Sequence, residues 1–236
     1  VPSRFAGFDE KVALAQAMGE SGRGIWQVVP YFPEMKQQLD NIRELGDISL
    51  AANVPCSLQP VLSSPTSPNA EELIEALEKE QARGARVFGQ TMPRCFDLNM
   101  RLSETSMLLY ALPRWKKIMD LPREQRLEQF EQQKSELVNE MKDAKGMSGS
   151  IPFLTVGSVK SDENQRYQGQ YLGAIAQEEN KELGEVILDL SIRDNLDTEF
   201  QLQNVINADK QAVAKIVSHP LCHFGASDAG AHITQF

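Results

Sequence analysis

The sequence predicts an α/β fold built on a parallel β-sheet. Three apolar strands, predicted at residues 24–29, 56–62 and 85–91, each follow a stretch with helical periodicity. Successive strands lie roughly 30 residues apart, which is the length of one strand–helix unit. Strands that alternate with helices in this way favour a parallel sheet with helices packed outside it.

The helices of these units are recognisable from apolar periodicity and from the residues that end them. The first is predicted over residues 8–19 and the second over 33–52, where Gly46 is expected to divide or bend it. The third is predicted over residues 70–83, and Gly84 suits the left-handed backbone that often follows a helix.

The middle of the chain departs from this alternation. Residues 104–150 predict two or three charged helices, which we interpret as an insertion on the main domain and not as a separate domain. After it, the pattern predicts a short strand at 153–159, helices at 170–180 and 181–192, and a half-buried strand at 198–206.

The last unit carries the first chemical signal. A helix is predicted over residues 209–218 and a buried strand over 222–228, which ends on Asp228. This order is typical of a (β/α)8 barrel, whose chemistry lies at the carboxyl ends of its strands. Two interpretations of Asp228 stay open: a turn residue supported by Gly230, or an acid that binds a metal or takes a proton from metal-bound water.

Charge and composition limit the classes of function. A net charge of −9 without a basic face argues against nucleic acid as a partner. No apolar run has the length of a membrane span, and the first residues do not have the pattern of a signal peptide. The three widely spaced cysteines predict reduced thiols and a cytoplasmic location. The chain starts at Val1 without an initiator Met, so we expect it to begin inside a longer protein.

Several stretches, taken in order, resemble one family. His219-Pro220, the apolar strand and then Ser227 to His232 resemble the last barrel strand of N-acyl-D-amino-acid deacylases, a branch of the metal-dependent amidohydrolases. The opening from Val1 to Ala6, the segment from Gln90 to Asn99 and the residues around Thr198 are similar to the same branch. The resemblance implies the C-terminal half of a (β/α)8 barrel that hydrolyses a linear amide with metal-activated water.

The resemblance also implies roles for four residues. Asp228 corresponds to the acid that contacts the metal and shuttles the proton. His232 is a candidate metal ligand, although it is equally suited to bonding a loop carbonyl. Arg94 could hold a substrate carboxylate or form a surface salt bridge, and Asn204 is a candidate substrate contact. The implied cofactor is a divalent metal, zinc by family, and the implied partner is a small N-acyl amino acid or related amide.

The departures from the family keep alternatives open. The family's fifth and sixth strands usually supply one histidine each. If the strands predicted at 24–29 and 56–62 correspond to these two, they carry Gln27 and Gln59 and no histidine. Glutamine is a poor replacement for imidazole at a zinc site. An amidohydrolase acting on a cyclic amide and a non-catalytic ligand-binding barrel therefore remain alternatives. We expect most metal ligands to lie outside this chain, and the 236-residue chain to be inactive alone.

Overall fold

The computed structural model describes residues 5–29, 35–64, 70–104 and 106–225. Within them, nine α-helices follow one another along the chain: α1 (Phe8–Glu20), α2 (Met35–Ala52), α3 (Ala70–Ala82), α4 (Pro113–Met119), α5 (Arg123–Gln132), α6 (Lys134–Met141), α7 (Leu172–Glu179), α8 (Leu183–Arg193) and α9 (Lys210–Ser218). The strands of the same residues are β1 (Trp26–Val28), β2 (Cys56–Leu58), β3 (Val87–Thr91), β4 (Phe96–Met100), β5 (Thr155–Val156), β6 (Phe200–Ile206) and β7 (Cys222–Phe224). None of these helices has both the length and the apolar character needed to cross a membrane.

The described chain falls into two compact units. The first is formed by residues between 5 and 95 together with 207–225, and the second by residues 96–206. The helical stretch predicted as an insertion, residues 104–150, belongs to the second unit.

The first unit contains the predicted parallel sheet. Its four strands lie in the order β1-β2-β3-β7, and each neighbouring pair is parallel. The mixed α/β fold with a parallel sheet is therefore confirmed, while closure of the sheet into a barrel stays a prediction. One face of the sheet packs on helices through a buried apolar core that includes Ile42, Leu73, Leu77 and Ile216.

Helix α2 corrects one expectation. Gly46 was expected to divide or bend the helix; α2 runs from Met35 to Ala52 without division, and a bend at Gly46 stays a prediction. The glycine makes room for a neighbour, because a Cβ at position 46 would lie 1.9 Å from Glu80 Oε2. The Glu80 carboxylate is buried there and forms ion pairs with Arg83 and Arg43.

The second unit contains a small antiparallel sheet in the order β4-β6-β5. Strand β4 was not predicted, and its pairing with β6 is irregular between Phe96 and Leu98. At this irregularity the Asn204 N–H donates to Asp97 Oδ1 over 3.0 Å, and Asn204 adopts a left-handed φ of 54°. A local bulge of this kind bends the strand and increases its twist.

The helices of the second unit pack around Trp115. Its ring lies 5.7 Å from that of Phe130, and its indole N–H donates to the Leu137 carbonyl over 3.0 Å. Phe130, Leu137 and Met141 are buried, so the charged stretch from 123 to 141 has a solvated face and an apolar face, as its sequence pattern predicts.

Candidate functional site

The parallel sheet of the first unit has two chemically different faces. Side chains alternate between the faces of a strand, and the register aligns Trp26 with Cys56 and Val87, and Gly89 with Cys222, on the face that packs against helices. The opposite face carries mostly polar side chains, namely Gln27 in β1, Ser57 in β2, Phe88 and Gln90 in β3, and His223 in β7. Among the described residues of this unit, the helices α2, α3 and α9 pack on the apolar face.

Three glutamines and a serine form a hydrogen-bonded network on this polar face. The Gln27 side-chain amide donates to Gln59 Oε1 over 2.6 Å. The Gln90 Nε2 amide donates to both Gln27 Oε1 and Ser57 Oγ, each over 3.0 Å. Gln59 follows β2 directly, so the network joins three neighbouring parallel strands close to their carboxyl ends.

Two further features shape the surroundings of the network. Gly225 follows β7, and a Cβ at this position would lie 2.6 Å from Gln90 Oε1, so the glycine leaves the space that the Gln90 amide fills. The rings of Phe88 and His223 lie 5.2 Å apart and are tilted by 38°. The polar face therefore presents amides beside a pair of rings.

Asn207 is a further polar residue in this unit. Its buried side chain accepts from the Ser63 N–H over 2.9 Å and donates to the Met92 carbonyl over 3.0 Å. Ser63 lies in the segment after β2, and Met92 directly follows β3. Asn207 therefore ties together the segments that leave two neighbouring strands at their carboxyl ends. The sequence pattern did not mark Asn207 as a functional residue.

Two of the three thiols in the first unit are core groups. Cys56 and Cys222 are both buried on the helix-facing side of the sheet. Burial raises the pKa of Cys56 to about 12, with Arg86 opposing the shift, and raises the pKa of Cys222 to about 11. Both thiols are thus protonated near neutral pH and are unsuited to act as nucleophiles or metal ligands.

The four residues singled out from the sequence are distributed as follows. Asp228 and His232 lie outside the described residues. Arg94 belongs to the first unit, where it is exposed in the segment between β3 and β4. Asn204 belongs to the second unit, where it is exposed in β6.

The described residues do not fit a divalent metal. No three His, Cys, Asp or Glu side chains among them lie together as a metal site requires. On the polar face, the only imidazole within the strands is that of His223, and the remaining polar groups are amides and a hydroxyl. Such groups are weak ligands for zinc and similar ions.

The second unit has a cleft of about 310 Å³, and its lining is largely apolar. Val138, Met141 and Ile151 form part of its wall, and all three are buried. Lys142 and Glu182, which also line the cleft, are joined by an ion pair of 3.0 Å. This lining offers mainly hydrophobic contact, and its Glu182 carboxylate is already paired with Lys142.

Comparison with known proteins yields matches in structure only. No protein-family profile matches the chain, and no curated protein matches its sequence. Among solved structures, an N-acyl-D-glutamate deacylase from Bordetella bronchiseptica, complexed with zinc and a phosphonate mimic of the tetrahedral intermediate, matches with a TM-score of 0.49 and 12% identity. A D-aminoacylase mutant in complex with copper chloride matches with a TM-score of 0.47 and 14% identity.

A further D-aminoacylase structure, described as defining a novel subset of amidohydrolases, matches with a TM-score of 0.46 and 13% identity. The matches cover 95–96% of this chain but only 36–37% of the other chains. The chain thus spans about a third of the length of the solved structures it matches. Over nearly all of its own length, it is similar to D-aminoacylase and N-acyl-D-glutamate deacylase structures.

Proposed function

We propose that this chain is part of a cytoplasmic, metal-dependent amide hydrolase whose substrates are linear N-acyl amino acids, with N-acyl-D-amino acids as the first choice. In this proposal, residues 1–236 form a partial (β/α)8 barrel domain with a helical insertion at about 104–150. The substrate is a small molecule and not nucleic acid, against which the net charge of −9 argues.

The observation that carries the proposal is the layout of the parallel sheet. Helices cover one face, and the other face bears a polar network near the carboxyl ends of β1, β2 and β3. Barrel enzymes have their sites at this end of the strands. Strand β7 is parallel to β3, so its carboxyl end lies at the same edge, and Asp228 follows Phe224 four residues later in the sequence.

In the proposed reaction, Asp228 accepts a proton from the attacking water and returns it to the leaving amine. A carboxylate is suited to both steps because it can bind and release one proton near neutral pH when its surroundings raise its basicity. A divalent metal, zinc according to the resemblance, would lower the pKa of that water. Asp228 and His232 are the ligands proposed from this chain, and the others are expected outside it.

Two further residues are proposed as substrate contacts. Arg94 would hold the substrate carboxylate bidentately, since a guanidinium matches the two oxygens of a carboxylate. Asn204, in the second unit, is proposed as a substrate contact only because of the sequence resemblance.

The test is turnover, with zinc present, by the native protein that contains this chain and by its Asp228→Asn variant. We expect hydrolysis of N-acetyl-D-leucine or N-acetyl-D-glutamate, and an about 100-fold or larger loss of kcat in the variant. The melting temperature should stay close to that of the wild type, because Asn keeps the size of Asp. The matched control is Asp143→Asn, which changes an exposed carboxylate and should leave kcat unchanged. Turnover of the Asp228→Asn chain within a few-fold of wild type would remove Asp228 from the mechanism.

The same assay separates the alternatives. Hydrolysis of hydantoin with no turnover of N-acyl amino acids would favour a cyclic amide as the substrate. The second candidate function, a ligand-binding barrel without catalysis, is favoured by the amide network and by the lack of a metal-ligand cluster among the described residues. Saturable ligand binding without turnover, in the presence of zinc and of any segment that precedes Val1 in the native protein, would support it.

A further inference from the structure

The glutamine network has a direction. Gln90 donates to Gln27, and Gln27 donates in turn to Gln59, so that each link uses one N–H and one carbonyl oxygen. The second N–H of Gln90 is taken by Ser57. The two ends of the chain of bonds are therefore different: Gln59 Nε2 is a donor end and Gln90 Oε1 is an acceptor end. Neither of these atoms has a further hydrogen-bond partner within the described residues.

The network holds these two ends in fixed positions. Gln27 is exposed and Gln59 and Gln90 are half-buried, so each amide could instead bond to water and keep its rotamer freedom. Bonds between exposed side chains add little to stability. Their value here is that Ser57, which is buried, anchors Gln90, and that the Gln90 amide fits into the space that Gly225 leaves. An ordered donor and an ordered acceptor on an accessible face are preorganised for a ligand.

The face is also uncharged. Within the bounds of β1, β2, β3 and β7, the polar face carries no Asp, Glu, Lys or Arg. An ion placed there would lose hydration without gaining an opposite charge. A neutral group that both donates and accepts hydrogen bonds fits the two ends of the network, and a secondary amide is such a group. The rings of Phe88 and His223 on the same face offer apolar contact beside it.

We propose that Gln59 and Gln90, held in place by Gln27 and Ser57, bind the secondary amide of the ligand: the ligand carbonyl accepts from Gln59 Nε2 and its N–H donates to Gln90 Oε1. The inference rests on the proposed function for the choice of an N-acyl amino acid derivative as ligand. It assigns to this face the recognition of the amide and not the holding of a metal.

The test is a binding titration by NMR with the full chain carrying the Asp228→Asn substitution, so that the probe is not consumed. The probe is N-acetyl-D-leucinamide, which is neutral and has a secondary amide. We expect saturable shifts of the side-chain amide signals of Gln27, Gln59 and Gln90. The ester analogue, in which oxygen replaces the N–H, should bind about fivefold more weakly, since one hydrogen bond is lost and Gln90 Oε1 faces an oxygen.

Two variants and a control make the test specific. Gln59→Met and Gln90→Met should each weaken binding of the amide probe about fivefold, and Gln90→Met should also abolish the preference for amide over ester. Gln203→Met changes an exposed glutamine in β6 of the second unit and should leave binding unchanged. Circular dichroism checks that each variant is folded.

The inference and the proposed function can fail separately. Equal binding of the amide by all variants, no saturable shift at the glutamines, or Zn²⁺ binding at these signals more tightly than the amide would overturn the inference. Wild-type turnover of N-acetyl-D-leucine with unchanged KM in Gln59→Met and Gln90→Met would leave the function standing without the inference. Saturable amide binding at the glutamines without turnover would leave the inference standing without the function.

Discussion

The two units of the chain use polar side chains in opposite ways. In the first unit, Gln27, Gln59 and Gln90 lie on an accessible sheet face, and their network ends in a donor and an acceptor that have no further partner among the described residues. In the second unit, Asp194 and Arg126 are buried, and several partners surround each of them. Donors and acceptors without a protein partner on an accessible face are suited to binding a ligand. Fully hydrogen-bonded polar groups in a core contribute to stability and help to specify one fold.

Asp194 illustrates the filled arrangement. Its carboxylate accepts from the N–H groups of Lys160 and Ser161, each over 2.9 Å, and from the side chains of Asn164 and Thr198, each over 2.8 Å. Burial by itself would raise the pKa of this carboxyl, but these hydrogen bonds outweigh it and hold the pKa below its usual value. The ionised carboxylate thereby joins the segment at 160–164 to the segment that leads into β6.

The largest expected effect is that of Asp194→Asn. Asn cannot accept all of these hydrogen bonds, so we expect the free energy of unfolding to fall by about 3 kcal/mol at neutral pH. Because the folded-state pKa of Asp194 is lowered, its stabilisation is present above the unfolded pKa and is lost as the pH falls through the folded pKa. The difference between wild type and variant, measured by urea unfolding, should therefore shrink below about pH 4. A constant difference from pH 7 down to pH 3 would contradict this account.

A smaller loss is expected for Arg126→Met. The Arg126 guanidinium donates to the carbonyls of Leu121, Leu102 and Glu104 over 2.8, 3.1 and 3.0 Å, and burial lowers its pKa. Met keeps the apolar stem but leaves three carbonyls without this donor, so we expect a loss of about 2 kcal/mol in urea unfolding. The control is Arg114→Met on the exposed side of α4, which should change stability by less than about 0.5 kcal/mol. Equal losses in the two variants would show that burial of the guanidinium is not the cause.

Gly225→Ala tests the first unit. The added Cβ would lie 2.6 Å from Gln90 Oε1, so the end of this side chain must move, at a cost of about 1 kcal/mol or less. We expect the side-chain amide signals of Gln90 and Gln27 to shift in the NMR spectrum and binding of N-acetyl-D-leucinamide to weaken. Gly169→Ala is an informative comparison, because nothing lies within 4 Å of a Cβ there but φ is +82°. We expect Gly169→Ala to lower stability and to leave the glutamine signals unchanged. The same outcome for Gly225→Ala would contradict the prediction.

The smallest effect on stability is expected for Gln59→Met. The bond from Gln27 to Gln59 is exposed, so its removal should change the free energy of unfolding by less than about 0.5 kcal/mol. Combined with weaker ligand binding, this result would sharpen the contrast between the two units. A loss as large as that of Asp194→Asn would mean that the glutamine network is a structural element and not a binding surface.

Much of the first unit could be predicted from the sequence. The strands predicted at 24–29, 56–62, 85–91 and 222–228 contain β1, β2, β3 and β7, and the helices between them were predicted within a few residues. These elements were accessible because apolar periodicity and end signals are local. Asp209, for example, caps α9 by accepting from the N–H groups of Gln211 and Ala212, as a cap residue at this position predicts.

The second unit was predicted less completely. Its helices and β6 were expected, but β4 was not, although Phe96 to Met100 alternates apolar and polar residues with the period of a strand. Its strand conformation comes from pairing with β6, about 100 residues later in the chain. The hydrogen-bond partners of Asp194 and Arg126 were also not predicted, because the residue type alone does not tell whether a charged side chain is buried or solvated.

The sequence by itself determined the alternation of helices and strands in the first unit, and the presence of glutamine at positions 27 and 59, where the family resemblance leads one to expect histidine. Only the tertiary structure decided that Gln27, Gln59 and Gln90 bond to one another, because strand order and register bring residues 32 and 63 positions apart to one face. It also decided that Gly46 and Gly225 make room for other side chains and do not serve as helix breaker or turn residue alone. Local patterns fix which elements form, whereas contacts between distant residues depend on how those elements pair, and that is set by the packing of the whole unit.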